Sequence, residues 1–303
     1  MKMKRRDFLE GAAVGAGGLV LGLGAVEAAP TRPPTFDPYE LVALGKTKLK
    51  VSRVGLGTGM HGGGRKSNQT RLGPAKFQAL IRGAYQRGIR WFDLADTYGS
   101  HPYFATSLKG VPREKYVIVS KIWFHRGTLP ERARSNADVV VRRFLKELKT
   151  DYIDLVLLHF MHQPDWPKAF RKQMDLLAGL KAKGVIRAHG VSCHSLGALA
   201  AAAREPWVDS IHARINPYGV RMDGPAAKVA PVLRTAHQNG KGVVGMKLIG
   251  EGRFRRSDRA RDESVRYVLG LKCVDTMVVG FERLSEIDDF AARVRKVPRV
   301  PTL

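Results

Sequence analysis

Side chains capable of proton chemistry follow apolar runs at regular intervals along this 303-residue chain. Phe92-Asp93-Leu94-Ala95-Asp96-Thr97-Tyr98-Gly99 supplies two carboxyls and a phenol. Val119-Ser120-Lys121 supplies an ammonium, and Leu157-Leu158-His159 an imidazole. Gly190-Val191-Ser192-Cys193, the stretch from His212 to Tyr218, and Met246-Lys247 continue the pattern. A purely structural scaffold has little reason to end six successive apolar runs in polar groups. A lysine in such a place needs a partner to stay charged cheaply, and Asp93 is the nearest candidate. The Lys121 ammonium would then draw the pKa of an adjacent phenol, Tyr98, below its reference of about 10. A phenol so tuned donates a proton near neutral pH, and His159 would hydrogen-bond the same substrate oxygen. Protonating a developing alkoxide is half of a carbonyl reduction. The set supplies no hydride, so a nicotinamide cofactor must.

The elements that would position these groups are legible in the spacing. Short apolar, β-type runs recur at 52–57, 89–94, 116–121, 153–159, 185–191, 208–214, 242–247 and 275–279. Helical patterns lie between them. In 130–148, Ala133, Ala137, Val140, Val141, Phe144, Leu145 and Leu148 fall on one helix face, with Thr128 and Glu131 as a capping box. A second such helix spans 167–183 and ends at Gly184. Strands alternating with helices imply a parallel sheet, and Ile153 to Leu158 is nearly continuous in apolar character, as a strand covered on both faces requires. Eight units in roughly 250 residues predict a (β/α)8 TIM barrel, whose active site forms at the C-terminal strand ends. An open doubly wound sheet would want G-x-G-x-x-G after its first strand. Gly55-Leu56-Gly57-Thr58-Gly59 misses that spacing. Residues 40–51 read as an N-terminal β-hairpin turning at Gly45-Lys46-Thr47.

Phe92 to Gly99, Lys121 after its strand, Tyr152-Ile153-Asp154-Leu155 through His159, Gly190-Val191-Ser192 and the hairpin with Leu44-Gly45-Lys46 together resemble the aldo-keto reductases. The resemblance spans residues 40–295. It implies an NAD(P)H-dependent oxidoreductase acting on a small aldehyde or ketone, or on the alcohol in reverse. It places the catalytic tetrad on Asp93, Tyr98, Lys121 and His159, with Tyr98 as general acid. It implies cofactor contacts from Ser192, Cys193, His212, Lys247, Arg253 and Arg283. The family has asparagine where this chain has Cys193, glutamine where it has His212, and a tyrosine on which the nicotinamide stacks where it has Ile215. Tyr218 is a candidate replacement ring. The cluster Arg253, Arg255, Arg256, Arg259, Arg261 and Arg266 suits phosphates. Arg283 would reach a 2′-phosphate while Glu282 beside it favours a free ribose, and the balance favours NADP(H) over NAD(H). The three altered positions also motivate an alternative, a catalytically inactive nucleotide-binding or regulatory barrel.

Residues 1–28 differ from the rest. Lys2, Lys4, Arg5 and Arg6 precede an apolar, glycine-rich run at 11–26, and small residues follow. That order reads as a secretory signal, and Arg5-Arg6-Asp7-Phe8-Leu9 resembles the twin-arginine export motif. The expected partner is the twin-arginine machinery and the expected location the periplasm. The run of 16 residues falls short of the ~20 that a spanning helix needs; an uncleaved anchor is the rival. Residues 29–39 are proline-rich and read as an extended linker before one domain, 40–303. Two cysteines, Cys193 and Cys273, make neither a disulfide scaffold nor a four-thiolate cluster site. The net charge of +25 attracts anions generally, but no nucleic-acid motif accompanies it. His159, His162, His189 and His194 lack the H-x-H pair of barrel metallohydrolases, and no metal is expected. The bland roles are a turn cap for Asp96, a structural ion pair for Asp93 and Lys121, and a rim loop for Gly62-Gly63-Gly64.

Overall fold

A computed structural model describes residues 33–299. The leader expected at 1–28 lies outside the described residues. Two strands, β1 (Leu41–Ala43) and β2 (Lys50–Ser52), pair antiparallel as the expected hairpin, with Val42 opposite Val51. Gly45 takes φ +51°, a conformation that glycine adopts at no steric cost. Thr47 Oγ1 donates to the Leu44 carbonyl at 2.7 Å and accepts from the Leu49 N–H at 3.1 Å.

Eight parallel strands follow and close on themselves in the order β10-β3-β4-β5-β6-β7-β8-β9. They are β3 (Val54–Gly57), β4 (Trp91–Asp93), β5 (Val117–Ile122), β6 (Ile153–Met161), β7 (Ile186–Cys193), β8 (Ser210–Arg214), β9 (Gly242–Met246) and β10 (Thr276–Val279). The principal helices between and after them are α1 (Pro74–Arg87), α2 (His101–Ser107), α3 (Ala137–Leu148), α4 (Arg171–Ala182), α5 (Leu196–Arg204), α6 (Ala226–Gln238), α7 (Asp258–Gly270) and α8 (Leu284–Arg295). Among the described residues no helix is long and apolar enough to cross a membrane.

The two-residue period of each strand sorts its side chains into two cores. Trp91, Val117, Val119, Leu155, Leu157, Ala188, Val244 and Val278 face the bore, where Leu44, Leu49 and Val51 of the hairpin join them. The hairpin therefore stoppers one end of the barrel, and the Lys46 N–H donates to the Gly240 carbonyl at 2.8 Å. Phe92, Ile118, Val156, Leu158, Val191 and Ile211 face the helices. Trp91 fits because Gly55 has no side chain: a Cβ there would lie 2.0 Å from the indole.

Three local expectations change. The helix expected over 130–148 starts only at Ala137. Thr128 has φ +61°, incompatible with the extended backbone of an N-cap, so its capping box does not form. Glu131–Ala133 is instead one 3₁₀ turn. The helix expected over 167–183 breaks at Phe170 (φ −108°, ψ 16°), giving Trp166–Ala169 and then α4. Gly184 does leave the helix left-handed, at φ +71°. The described part of the 29–39 segment is fastened down: Thr35 bridges Pro298, and the Phe36 N–H donates to the Val297 carbonyl at 3.1 Å.

Candidate active site

The strand period aims Asp93 of β4, Lys121 of β5 and His159 of β6 into the bore, each in phase with the inward apolar residues before it. Tyr98 comes from the 3₁₀ turn Asp96–Tyr98 that follows β4. Its ring lies against bare backbone. A Cβ on Gly59 would fall 2.2 Å from it, and one on Gly62 2.6 Å. The glycines at 59 and 62 thus make the seat of the phenol. Lys121 Nζ sits 2.6 Å from Asp93 Oδ1 and donates to the Leu94 carbonyl at 2.9 Å. The same ammonium is 4.8 Å from the centroid of the Tyr98 ring. The His159 ring meets Tyr98 edge-on, with centroids 5.7 Å apart. All four side chains line one cavity, so the four residues singled out in the sequence do converge.

The electrostatics differ from the expectation in one respect. Tyr98 is not tuned down: burial, with the Asp93 carboxylate adding to it, pushes its pKa well above 10. The Lys121 charge is already matched by Asp93. Burial raises the pKa of Asp93 and lowers that of Lys121, and their mutual attraction opposes both. Burial, then the Lys121 charge, holds His159 well below its ordinary value, so its ring is neutral. The site at rest is a neutral phenol and a neutral imidazole over a compensated ion pair.

The cavity measures about 490 Å³, within the range of small-molecule and cofactor sites. Its lining runs from the four residues above past Ser192 and Lys247 to Arg255, Arg256 and Arg283. Of the expected cofactor contacts, Ser192, Lys247 and Arg283 line it. Cys193, His212 and Arg253 do not. Ser192 faces the bore, so its neighbour Cys193 must face the helices; it is fully buried there among core side chains. His212 points inward but is fully buried, with Nδ1 3.6 Å from Asp93 Oδ1. The Arg253 side chain is exposed outside the cavity, beside Phe254, which turns inward. Tyr218 is no replacement ring: it stands outside the cavity against Phe254, its hydroxyl donating to Glu263.

Arg283 pairs with Glu286 at 2.8 Å, and Glu282 accepts from Asn68 at 2.7 Å. Arg255 and Arg256 join no ion pair among the described residues and are exposed. They are the cations free to meet a phosphate. Lys247 is held by Glu251 at 2.6 Å.

His194 was missed. It lines the cavity with its ring 4.2 Å from that of Phe160, and burial, then Arg214, takes its pKa to about 2. The signal was its place two residues beyond Ser192, on the same side of the pleat. His189 stacks on Trp207 at 4.1 Å and His162 lies 3.3 Å from the Phe160 carbonyl, both local roles. No group of three potential metal ligands occurs among the described residues.

Residues 53–278 match the model of the aldo/keto reductase family. The chain is 26% identical to a D-threo-aldose 1-dehydrogenase of a Pseudomonas species over 215 residues, 62% of this chain and 64% of that protein. It is 29% identical to the NADH-specific methylglyoxal reductase of Escherichia coli over 171 residues, 50% of this chain and 51% of that protein. The matched region thus spans about half to two thirds of these curated relatives. A solved Pseudomonas aeruginosa chain, itself assigned to the aldo-keto reductases, is 27% identical, with TM-score 0.69 over 86% of this chain and 96% of its own.

Proposed function

This chain belongs to the aldo/keto reductase family, and from that premise we propose that it reduces a small aldehyde or ketone with NADPH in preference to NADH. The observation that carries the proposal is the meeting of Asp93, Tyr98, Lys121 and His159 at one end of a cavity whose other end presents Arg255 and Arg256, unpaired among the described residues. Bound nicotinamide supplies the hydride. Every other contribution belongs to the protein. Tyr98 keeps its proton across the neutral range because burial holds its pKa up. An alkoxide is a far stronger base than a phenolate, so a phenol with a raised pKa still donates downhill to a reducing carbonyl oxygen. The Lys121 ammonium lies over the ring, 4.8 Å from its centroid, and Asp93 keeps that lysine charged. The neutral His159 ring donates a hydrogen bond to the same oxygen without competing for its proton. Ser192 would hold the nicotinamide end of the cofactor. Arg255 and Arg256 would hold its 2′-phosphate.

Two measurements test this. Titrating the purified protein with NADPH and NADH should quench nucleotide fluorescence at micromolar cofactor, NADPH more tightly. A panel of small carbonyls should then show cofactor oxidation. Tight binding without turnover on any carbonyl would replace the proposal with a regulatory, nucleotide-binding role. We extend the proposal to export through the twin-arginine route, on the strength of residues 1–28. A reporter fused to residues 1–30 should move to the periplasm, and should remain in the cytoplasm with Arg5→Lys and Arg6→Lys.

A further inference from the structure

Tyr98 and Lys121 lie on different elements, and nothing described so far fixes one against the other. Beside them runs a second set of polar side chains, none of which lines the cavity. Asp96, two residues before Tyr98, is buried. It caps no turn with its side chain. Its carboxylate meets Arg143 of α3 at 2.6 Å and Arg65 at 3.0 Å. Arg143 also meets Glu147, one turn along the same helix, at 2.9 Å. Glu147 holds His101 Nδ1 at 2.8 Å. His101 Nε2 reaches Ser120 Oγ at 2.8 Å, and Ser120 immediately precedes Lys121. The chain of bonds therefore leaves the backbone just before Tyr98, crosses α3, returns three residues after Tyr98, and ends beside Lys121.

Each link follows from local structure. On β5, Val119 and Lys121 face the bore, so Ser120 faces the helices. His101 opens α2 and is 1% exposed, its ring edge-on to Phe144 at 4.5 Å. Arg143 and Glu147 are four apart on α3, on one face. Ser120, His101 and Glu147 have the composition of a nucleophile triad. Ser120 is fully buried and off the cavity, so no substrate reaches it, and hydrolysis is excluded for this group. Charge-assisted links of this kind are shorter and stronger than neutral ones. Although burial acts to raise it, hydrogen bonding to His101 and the Arg143 guanidinium carry Glu147 down to a pKa of about 2.

We propose that His101 is a positioning residue: bridging Glu147 and Ser120, it completes a buried chain that sets the Tyr98 phenol against the Lys121 ammonium. The proposal rests on the reductase assignment for its kinetic readout and on geometry alone for its spectroscopic one. His101→Leu cuts both bonds at similar volume. It should lower kcat about tenfold to a hundredfold, the range that small misplacements of reacting groups cause, with KM and NADPH affinity changed by less than about twofold. His101→Gln, whose amide offers a donor and an acceptor, should restore most of the rate. In protein carrying ¹³Cζ-tyrosine, the Tyr98 resonance, assigned by its loss in Tyr98→Phe, should shift or broaden in His101→Leu and return in His101→Gln. A folded His101→Leu with wild-type kcat and an unmoved Tyr98 resonance overturns the proposal. Should His101→Leu not fold, Ser120→Ala removes only the terminal hydroxyl of the same chain and is read by the same two outcomes. If the wild type reduces no carbonyl, the reductase assignment fails on its own, and the resonance alone decides for or against positioning.

Discussion

The two ends of the cavity are built on opposite principles. At one end the charges lining the cavity are buried and already answered, Lys121 by Asp93 at 2.6 Å. At the other, Arg255 and Arg256 are exposed and unanswered among the described residues, next to a loop in which Gly250, Glu251 and Gly252 are all left-handed (φ +54°, +57° and +84°). A group that must act on charge appearing during a reaction has to be oriented beforehand, away from water. A group that only has to gather a bound anion can wait in solvent. Burying an ion pair costs desolvation that its attraction barely repays, and at the catalytic end that cost places a charge against the reacting groups.

Substitutions at the two ends should therefore fail differently. Tyr98→Phe removes the proton donor and should lower kcat by about 10²–10⁴ while leaving NADPH affinity within about twofold, read by steady-state kinetics and fluorescence titration. Because Tyr98 titrates well above 10, reduction in the wild type should show no falling limb assignable to this phenol below pH 10. Alcohol oxidation, which needs the phenolate, should keep rising with pH. Asp93→Ala strands the Lys121 ammonium in the bore and should cost roughly 3–5 kcal/mol of stability, seen in denaturant melts; an undiminished melt would mean the pair is solvated. At the open end the order reverses. Arg255→Ala with Arg256→Ala should weaken NADPH about tenfold, spare NADH and kcat, and leave the melt unchanged. Equal loss for both nucleotides would move the 2′-phosphate to other residues. An effect visible only in acid concerns Glu147. Its pKa falls from 4.5 to about 2 on folding, so its stabilisation is complete above pH 4.5 and disappears as pH drops toward 2. Glu147→Gln should remove that acid-dependent part, roughly 3 kcal/mol or less.

What could be read beforehand follows the same division. Alternation in Val117, Val119, Lys121 and in Leu155, Leu157, His159 announces both the strands and the inward polar residue that ends them, because pleat and burial act on neighbours in sequence. The barrel and the inward Asp93, Lys121 and His159 came through that channel; Tyr98, on the 3₁₀ turn after β4, came from the family resemblance instead. Four kinds of fact did not. Facing was misassigned at Cys193, where resemblance to a family position outweighed the alternation that Ser192 imposes. The direction of the Tyr98 shift depends on desolvation, which only the assembled bore creates. The partner of Asp96, Arg143, is far along the chain on a helix, and no local pattern joins them. Arg253 was singled out among neighbours whose exposure the loop alone decides.

The hairpin carries a further consequence. Leu44, Leu49 and Val51 are synthesised before any wall of the barrel exists, yet they share the bore core with residues from β4 to β10, and Leu44 lies beside Gly242 of β9. Barrel closure, too, waits for Val54 to meet Met277. The stopper is made first, and its seat is complete only once the last strands are in place. A nascent or truncated chain ending before Val279 must carry three apolar side chains with no bore to enter. Such a fragment exposes the kind of apolar surface that makes incomplete chains prone to aggregate.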